Sequence, residues 1–283
     1  MRHQQYRLGQ DLILATSELG NPKTAAKTVV FIHGWLDNGA SFYRNMYQLH
    51  QRHPDWHLVA LDLPGHGASS HKSADNYYPF HDYLSDLYWF LTVLSPNKLC
   101  LVGHSLGALI ASCYSAAFPE QVSALIQIEG AGPLAETASN ATGRLRQGIL
   151  SRARIAKKPP RSLTTFDKAL ALRSASCGVD SSLIAPIVGR DCYFDSKLQA
   201  WRWRHDSKLK CDSLYRMTLE QANQLVSDIQ CPNWVVLGSD GYAQLAQRSQ
   251  VFSERKVVAG GHHCHLESSS EIVSLIGDVV NKI

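Results

Sequence analysis

A chain of 283 residues, 45% hydrophobic and 18% charged, can bury a full core as one large domain or as one domain carrying an insertion. No run reaches the roughly 18 consecutive apolar residues of a membrane-spanning helix, and the polar start Met1–Gln10 lacks the apolar segment of a secretory signal. Net charge is only +4, yet residues 141–215 hold 15 Lys and Arg against 6 Asp and Glu, and the remainder 13 against 18.

A basic middle on an acidic body suggests an anionic substrate or an acidic carrier approaching from that side; a solvated helical surface accounts for the same pattern. The basic residues match no nucleic-acid reader motif, so nucleic acid is not an expected partner. The cysteines at 100, 113, 177, 192, 211, 231 and 264 contain no Cys-x-x-Cys pair. That pattern points to reduced thiols in a cytoplasmic protein.

Along the chain, Tyr6–Leu14 and Ala15–Leu19 read as a lead-in hairpin and Thr28–His33 as a buried strand ended by Gly34. Ser41–Gln51 has helical spacing with Ser41 as its N-cap. Trp56–Leu61 is an apolar strand stopped by Asp62-Leu-Pro-Gly-His-Gly67, and Asp82–Leu94 an amphipathic helix. Leu99–Val102 predicts a strand, Ser105–Ala117 a helix and Ala124–Glu129 another strand. Strand–helix alternation implies a mostly parallel sheet covered on both faces, hence an α/β fold.

From about 131 to 214 the alternation stops, and the segment reads as a mostly helical insertion, or cap, between body halves 1–130 and 215–283. Alternation resumes with a helix at Thr218–Ile229, a strand at Trp234–Gly238, a helix near 242–251, a strand at Lys256–Val258 and a helix at Ser270–Lys282.

The chemical signal is Gly103-His-Ser-Leu-Gly107 between a strand and a helix. A serine on such a turn presents its hydroxyl away from the sheet, and the two glycines let strand and helix approach closely. The following helix aims free N–H groups at charge developing beside Ser105. A serine nucleophile also needs a base and an acid that orients it. His262, directly after the paired glycines of Ala259-Gly-Gly-His-His-Cys-His265, is the candidate base. Adjacent residues of one loop do not readily project to a common point, so His262, His263, Cys264 and His265 are not read as a metal site. No cofactor is expected. His33, Asp62 and His66, at strand ends and turns, read as loop-fixing hydrogen bonders.

These motifs resemble those of the α/β-hydrolases, and within them the serine hydrolase-like proteins. The resemblance rests on His33-Gly-Trp-Leu-Asp-Asn38 with Ser41-Phe42, Asp62-Leu-Pro-Gly-His-Gly-Ala-Ser69, Gly103-His-Ser-Leu-Gly107, and Gly261-His262 with His265-Leu-Glu267. It spans almost the whole chain and implies an α/β-hydrolase fold with an oxyanion hole made by the backbone N–H groups of Trp35 and Leu106. The superfamily's usual acid lies three residues after the glycine that ends the Trp234–Gly238 strand. Here that position is Gly241, with Asp240 one residue early, while Glu129 closes the preceding strand, where some members place their acid. Both carboxylates therefore stand as candidates.

The expected activity is two-step hydrolysis of a carboxylic ester or thioester, with a small-molecule acyl substrate or an acyl group on an acidic carrier. Serine in place of aspartate at 105 disfavours dehalogenase and epoxide-hydrolase chemistry. Carbon–carbon bond hydrolysis by the same triad, a carrier or coenzyme A thioesterase, and a non-catalytic binding protein are the alternatives.

Overall fold

The computed structural model describes residues 1–9, 12–159, 162–247 and 254–283. Its main sheet contains β1 (Arg2–Leu8), β2 (Leu12–Leu19), β3 (Lys27–Ile32), β4 (His57–Leu61), β5 (Lys98–His104) and β6 (Ala124–Ile128). The 131–214 segment and its exit carry β7 (Ala135–Glu136), β8 (Ser162–Leu163), β9 (Cys192–Asp195), β10 (Ala200–Trp203) and β11 (Met217–Thr218), before β12 (Asn233–Gly238) and β13 (Glu254–Val258) complete the main sheet. Its order is β1-β2-β4-β3-β5-β6-β12-β13. The β1–β2 hairpin is antiparallel, as is the β2–β4 pair, and every neighbour from β4 onward is parallel.

Both faces of this sheet are covered. Val29 and Phe31 of β3 join one apolar cluster with Met46 and Leu49 of α1 (Tyr43–Arg52) and with Val273 and Ile276 of the C-terminal helix (Ser269–Asn281). Val30 and Ile32 join the opposite cluster with Phe90 of α2 (Phe80–Leu94) and Ile110 and Tyr114 of α3 (Leu106–Ala117). Successive residues of a strand point to opposite faces, so a doubly covered strand must be apolar throughout. That is why these strands stand out in the sequence. Each fully buried aliphatic or phenyl side chain contributes roughly 1.5–3 kcal/mol.

Parallel pairing brings the carboxyl ends of the strands to one edge. Ile32 faces Gly103, His104 faces Ile128, and Gly238 faces Val258. The crevice beyond such an edge is where open α/β sheets bind ligands.

The first helical turn differs from expectation for a clear reason. Asn38 caps a 3-10 turn at Gly39–Phe42, its side chain accepting from the Ala40 N–H, and α1 begins only at Tyr43. Ser41 lies inside that turn and bonds instead to His265 Nε2 at 2.7 Å.

The 131–214 segment adds no strand to the main sheet. It holds α4 (Ala141–Ala156), α5 (Phe166–Cys177) and α6 (Ser181–Asp191) together with an antiparallel β8-β10-β9 sheet; β7 pairs with β11. The helical expectation missed that small sheet because its strands run only 2 to 4 residues, too short for an alternation to register.

After β11 come α7 (Leu219–Ser227), which opens with a Thr218–Gln221 capping box, and α8 (Ala243–Gln247). The remainder of the helix expected near 242–251 lies outside the described residues. A short α9 (Cys264–Glu267) precedes the C-terminal helix, α10. Among the described residues no helix is long and apolar enough to cross a membrane, and all seven cysteines are free.

Polar contacts tie the segment to the body. Arg190 of α6 donates Nε–H to both oxygens of buried Asp62, at 3.0 and 2.8 Å. Arg173 of α5 pairs with Asp37, Asn38 Nδ2 donates to Ile187 O at 2.8 Å, and Tyr78 O–H donates to Asp206. Several of the basic residues noted above thus face inward.

Candidate active site

Ser105 stands between β5 and α3 with φ 49° and ψ −117°, a conformation that costs a non-glycine residue about 1–3 kcal/mol. Its surroundings hold it there. Ser105 N–H donates to Ile128 O at 2.9 Å, and its own carbonyl accepts from Ala108 and Leu109 N–H. The flanking glycines are required by contact, since a Cβ on Gly103 would lie 2.4 Å from the Gly107 carbonyl and one on Gly107 2.0 Å from Ile32 O. Gly34, beyond the end of β3, packs against the same turn: a Cβ there would come within 3.2 Å of Ser105 Cβ. The Gly34–Trp35 peptide therefore runs beside the serine. Among the described residues the N–H groups of Trp35 and Leu106 have no hydrogen-bond acceptor. Two free donors at this spot suit an oxygen that gains negative charge.

His262 lies on the loop between β13 and α9. Its carbonyl accepts from His104 Nε2 at 2.7 Å, which seats residue 262 against the neighbour of Ser105. Among the described residues no hydrogen bond yet joins the Ser105 hydroxyl to the imidazole, and catalytic hydrogen bonds commonly tighten only when substrate binds. The other ring nitrogen has a firm partner. His262 Nδ1 donates to Glu129 Oε2 at 3.2 Å.

Glu129 follows β6 with φ 50° and is 2% exposed. Its Oε1 accepts from Gly238 N–H at 2.8 Å and its Oε2 from Tyr242 N–H at 3.1 Å. Asp240, the other candidate carboxylate, is exposed and meets the Ser239 hydroxyl, which donates to it at 3.0 Å. Gly241 explains the arrangement. A Cβ at 241 would fall 2.1 Å from Glu129 Oε1, so the carboxylate from β6 fills the room a side chain from the β12 loop would take.

The loop-fixing residues behave as ordinary hydrogen-bond chemistry requires. Leu63 N–H donates to His33 Nε2 at 2.9 Å, so Nδ1 carries the proton given to Gly34 O at 2.7 Å. Asp62 accepts from Gly39 and Ala68 N–H, both at 2.7 Å, and His66 Nδ1 donates to Pro64 O.

A second group lies beneath the serine, and sequence reasoning missed it. Buried Asp37 meets Arg173, His263 Nε2 at 3.2 Å and His104 Nδ1 at 3.8 Å. Burial, followed by the neighbouring His265, His263 and His262, holds His104 well below the usual histidine range, so its ring is neutral. Burial raises Asp37, but the His263 hydrogen bond and the charges around it keep its carboxyl well below the usual range. Residues 37 and 263 are far apart in the chain, and only the converging ends of β3 and β13 join them. A surface cavity of about 510 Å³ between α2 and α7, lined by residues such as His81, Tyr215 and Glu220, contains none of these groups.

Comparison with known proteins agrees with this architecture. The family model for the α/β hydrolase fold matches residues 27–181. A serine hydrolase-like protein of Danio rerio is 24% identical over 269 residues, covering 89% of this chain and 81% of its own. The crystal structure of a hypothetical protein from Pseudomonas aeruginosa PAO1 superposes with TM-score 0.86 at 27% identity, covering 96% of each chain. The thioesterase domain of the curacin biosynthetic pathway superposes with TM-score 0.83 at 22% identity, covering 98% of this chain and 99% of its own. The chain belongs to the α/β-hydrolase fold family.

Proposed function

We propose that this protein is a serine hydrolase that cleaves a carboxylic ester or thioester through an acyl-enzyme. Ser105 attacks the acyl carbon while His262 Nε2 takes the hydroxyl proton. Glu129, held by two backbone N–H groups and by His262 Nδ1, keeps the imidazole in the required tautomer and offsets its charge once protonated. The N–H groups of Trp35 and Leu106 hold the oxyanion; losing one such donor typically costs about 2.7–4 kcal/mol of transition-state stabilisation. His262 then returns its proton to the leaving group and activates the water that releases the acid. Segment 131–214 acts as a cap over this site, with Trp35 Nε1 donating to Leu209 O at 2.8 Å across the junction.

The observation that carries this reading is the His262–Glu129 pair beside a serine held in a strained turn. Docking of an acidic carrier has less support. Arg202 pairs with Asp195, Arg204 lies over the Tyr193 ring, and Lys208 pairs with Asp206 and donates to Ser73 O.

The test is fluorophosphonate labelling combined with a chain-length series of p-nitrophenyl esters. Labelling at Ser105 and turnover abolished by Ser105→Ala support the reading. Absence of labelling on folded protein overturns it in favour of a binding protein, and labelling without ester turnover redirects it to carbon–carbon bond hydrolysis.

A further inference from the structure

We propose that Asp37, His104 and His263 form a binding site for a divalent transition-metal ion. One ligand atom from each residue lies within 4.8 Å of the others, and all three residues are buried. Asp37 Oδ2 stands 3.2 Å from His263 Nε2 and 3.8 Å from His104 Nδ1. Ligands about 2.0–2.1 Å from a shared ion sit at such separations after small shifts. Two imidazoles and one carboxylate are a donor set suited to zinc, iron, cobalt or nickel rather than to calcium or magnesium.

The hydrogen bonds behind two of the three ligands, His104 and Asp37, match what a metal needs. A ligating histidine donates its other ring N–H to a carbonyl or carboxylate, which fixes the tautomer. His104 does so: a carbonyl only accepts, so the bond from Nε2 to His262 O leaves a bare lone pair on Nδ1. That lone pair has no hydrogen-bond partner despite complete burial, and it faces the Asp37 carboxylate. A buried acceptor directed at a carboxylate lacks the cation that would satisfy both. Arg173 holds the other carboxylate oxygen and so orients Oδ2 towards the two rings. Glycine at 34 keeps the space open, since a Cβ there would come 2.8 Å from His104 Nδ1.

Binding moves one proton. His263 Nε2 now donates to Asp37; on metal entry this proton leaves Nε2 and the ring takes one up at Nδ1, which is buried and without a partner. Arg173 opposes the incoming charge, so affinity should fall below that of a structural zinc site. Asp37 and His263 come from two loops and His104 from the end of β5.

Untagged, chelator-treated protein titrated with cobalt(II) provides the test. One equivalent should bind with d–d absorption and no sulfur-to-cobalt charge-transfer band, and His263→Gln and Asp37→Asn should each weaken binding at least about 10-fold. No uptake, sulfur ligation, or undiminished binding in both variants overturns the site. Should the variants not fold, anomalous diffraction from cobalt-soaked wild-type crystals decides: a peak bounded by the three residues supports the site, and a peak elsewhere or none overturns it.

Discussion

Strands β3 to β6 bury nearly every side chain they carry, Gln127 included, whereas α4 of the 131–214 segment leaves Leu145, Ile149 and Leu150 half exposed or more. The body rests on apolar area, which is non-directional and spread over dozens of side chains. The 131–214 segment has its own small apolar cluster, in which Ala40 and Leu266 are the buried residues contributed by the body. Its attachment otherwise depends on directional bonds such as Arg190–Asp62 and Arg173–Asp37. The sheet is a support that no single contact can unseat, while the 131–214 segment is joined to it by a few directional bonds.

The largest expected effect tests whether the body alone holds the chemistry. Ser105→Ala should lower kcat roughly 10⁶-fold, as loss of a nucleophilic serine does elsewhere, with thermal stability unchanged or raised as the strained turn relaxes. Steady-state ester kinetics with calorimetry measures both. Next, Glu129→Gln should lower kcat about 10⁴-fold by leaving His262 in the wrong tautomer, while Asp240→Asn should leave kcat unchanged. Equal losses in the two variants would contradict the assignment of the acid.

The cap's dependence on single bonds is probed by Arg190→Met. It leaves Asp62 buried without its counter-charge, a change that costs about 3–5 kcal/mol. Hydrogen exchange should rise in α6 and β9 but not in β5 or β6; uniform loss of protection would mean that cap and body unfold together. Met46→Ala in the body core should cost about 2–5 kcal/mol and shift global unfolding instead.

The smallest effect concerns pH. Burial pushes the Glu18 carboxyl up, but hydrogen bonds from His57, Thr16 and Tyr6 bring it below the ordinary value. A carboxyl whose pKa is lowered by folding stabilises the fold above its unfolded value of about 4.3, and that contribution fades as pH falls through the folded value. The Tm gap between wild type and Glu18→Gln should therefore be widest near neutrality and close in acid.

Much of the body was readable in the chain because its strands are unbroken apolar runs ended by glycine turns. Helix starts were less so. Asn38 rather than Ser41 caps the turn before α1, while distant helices engage both residues, Ile187 of α6 meeting Asn38 and His265 of α9 meeting Ser41. Ser105 and His262 announced themselves by local glycine patterns. The carboxylate that meets His262 did not, because Glu129 and Asp240 end neighbouring strands and differ only in which one turns inward. The absent Cβ at Gly241 was the clue to that choice. Asp37 with His104 and His263 left no local trace at all, since their meeting depends on the whole sheet being assembled.

One consequence follows from the indole of Trp35. It is 50% exposed, its backbone runs beside the serine, and its ring N–H reaches the 131–214 segment at Leu209. An indole that loses such a partner changes its emission, so Trp35 is a native optical reporter of any separation of that segment from the body. With the other five tryptophans replaced by phenylalanine, stopped-flow traces would show whether the two part when an ester is added.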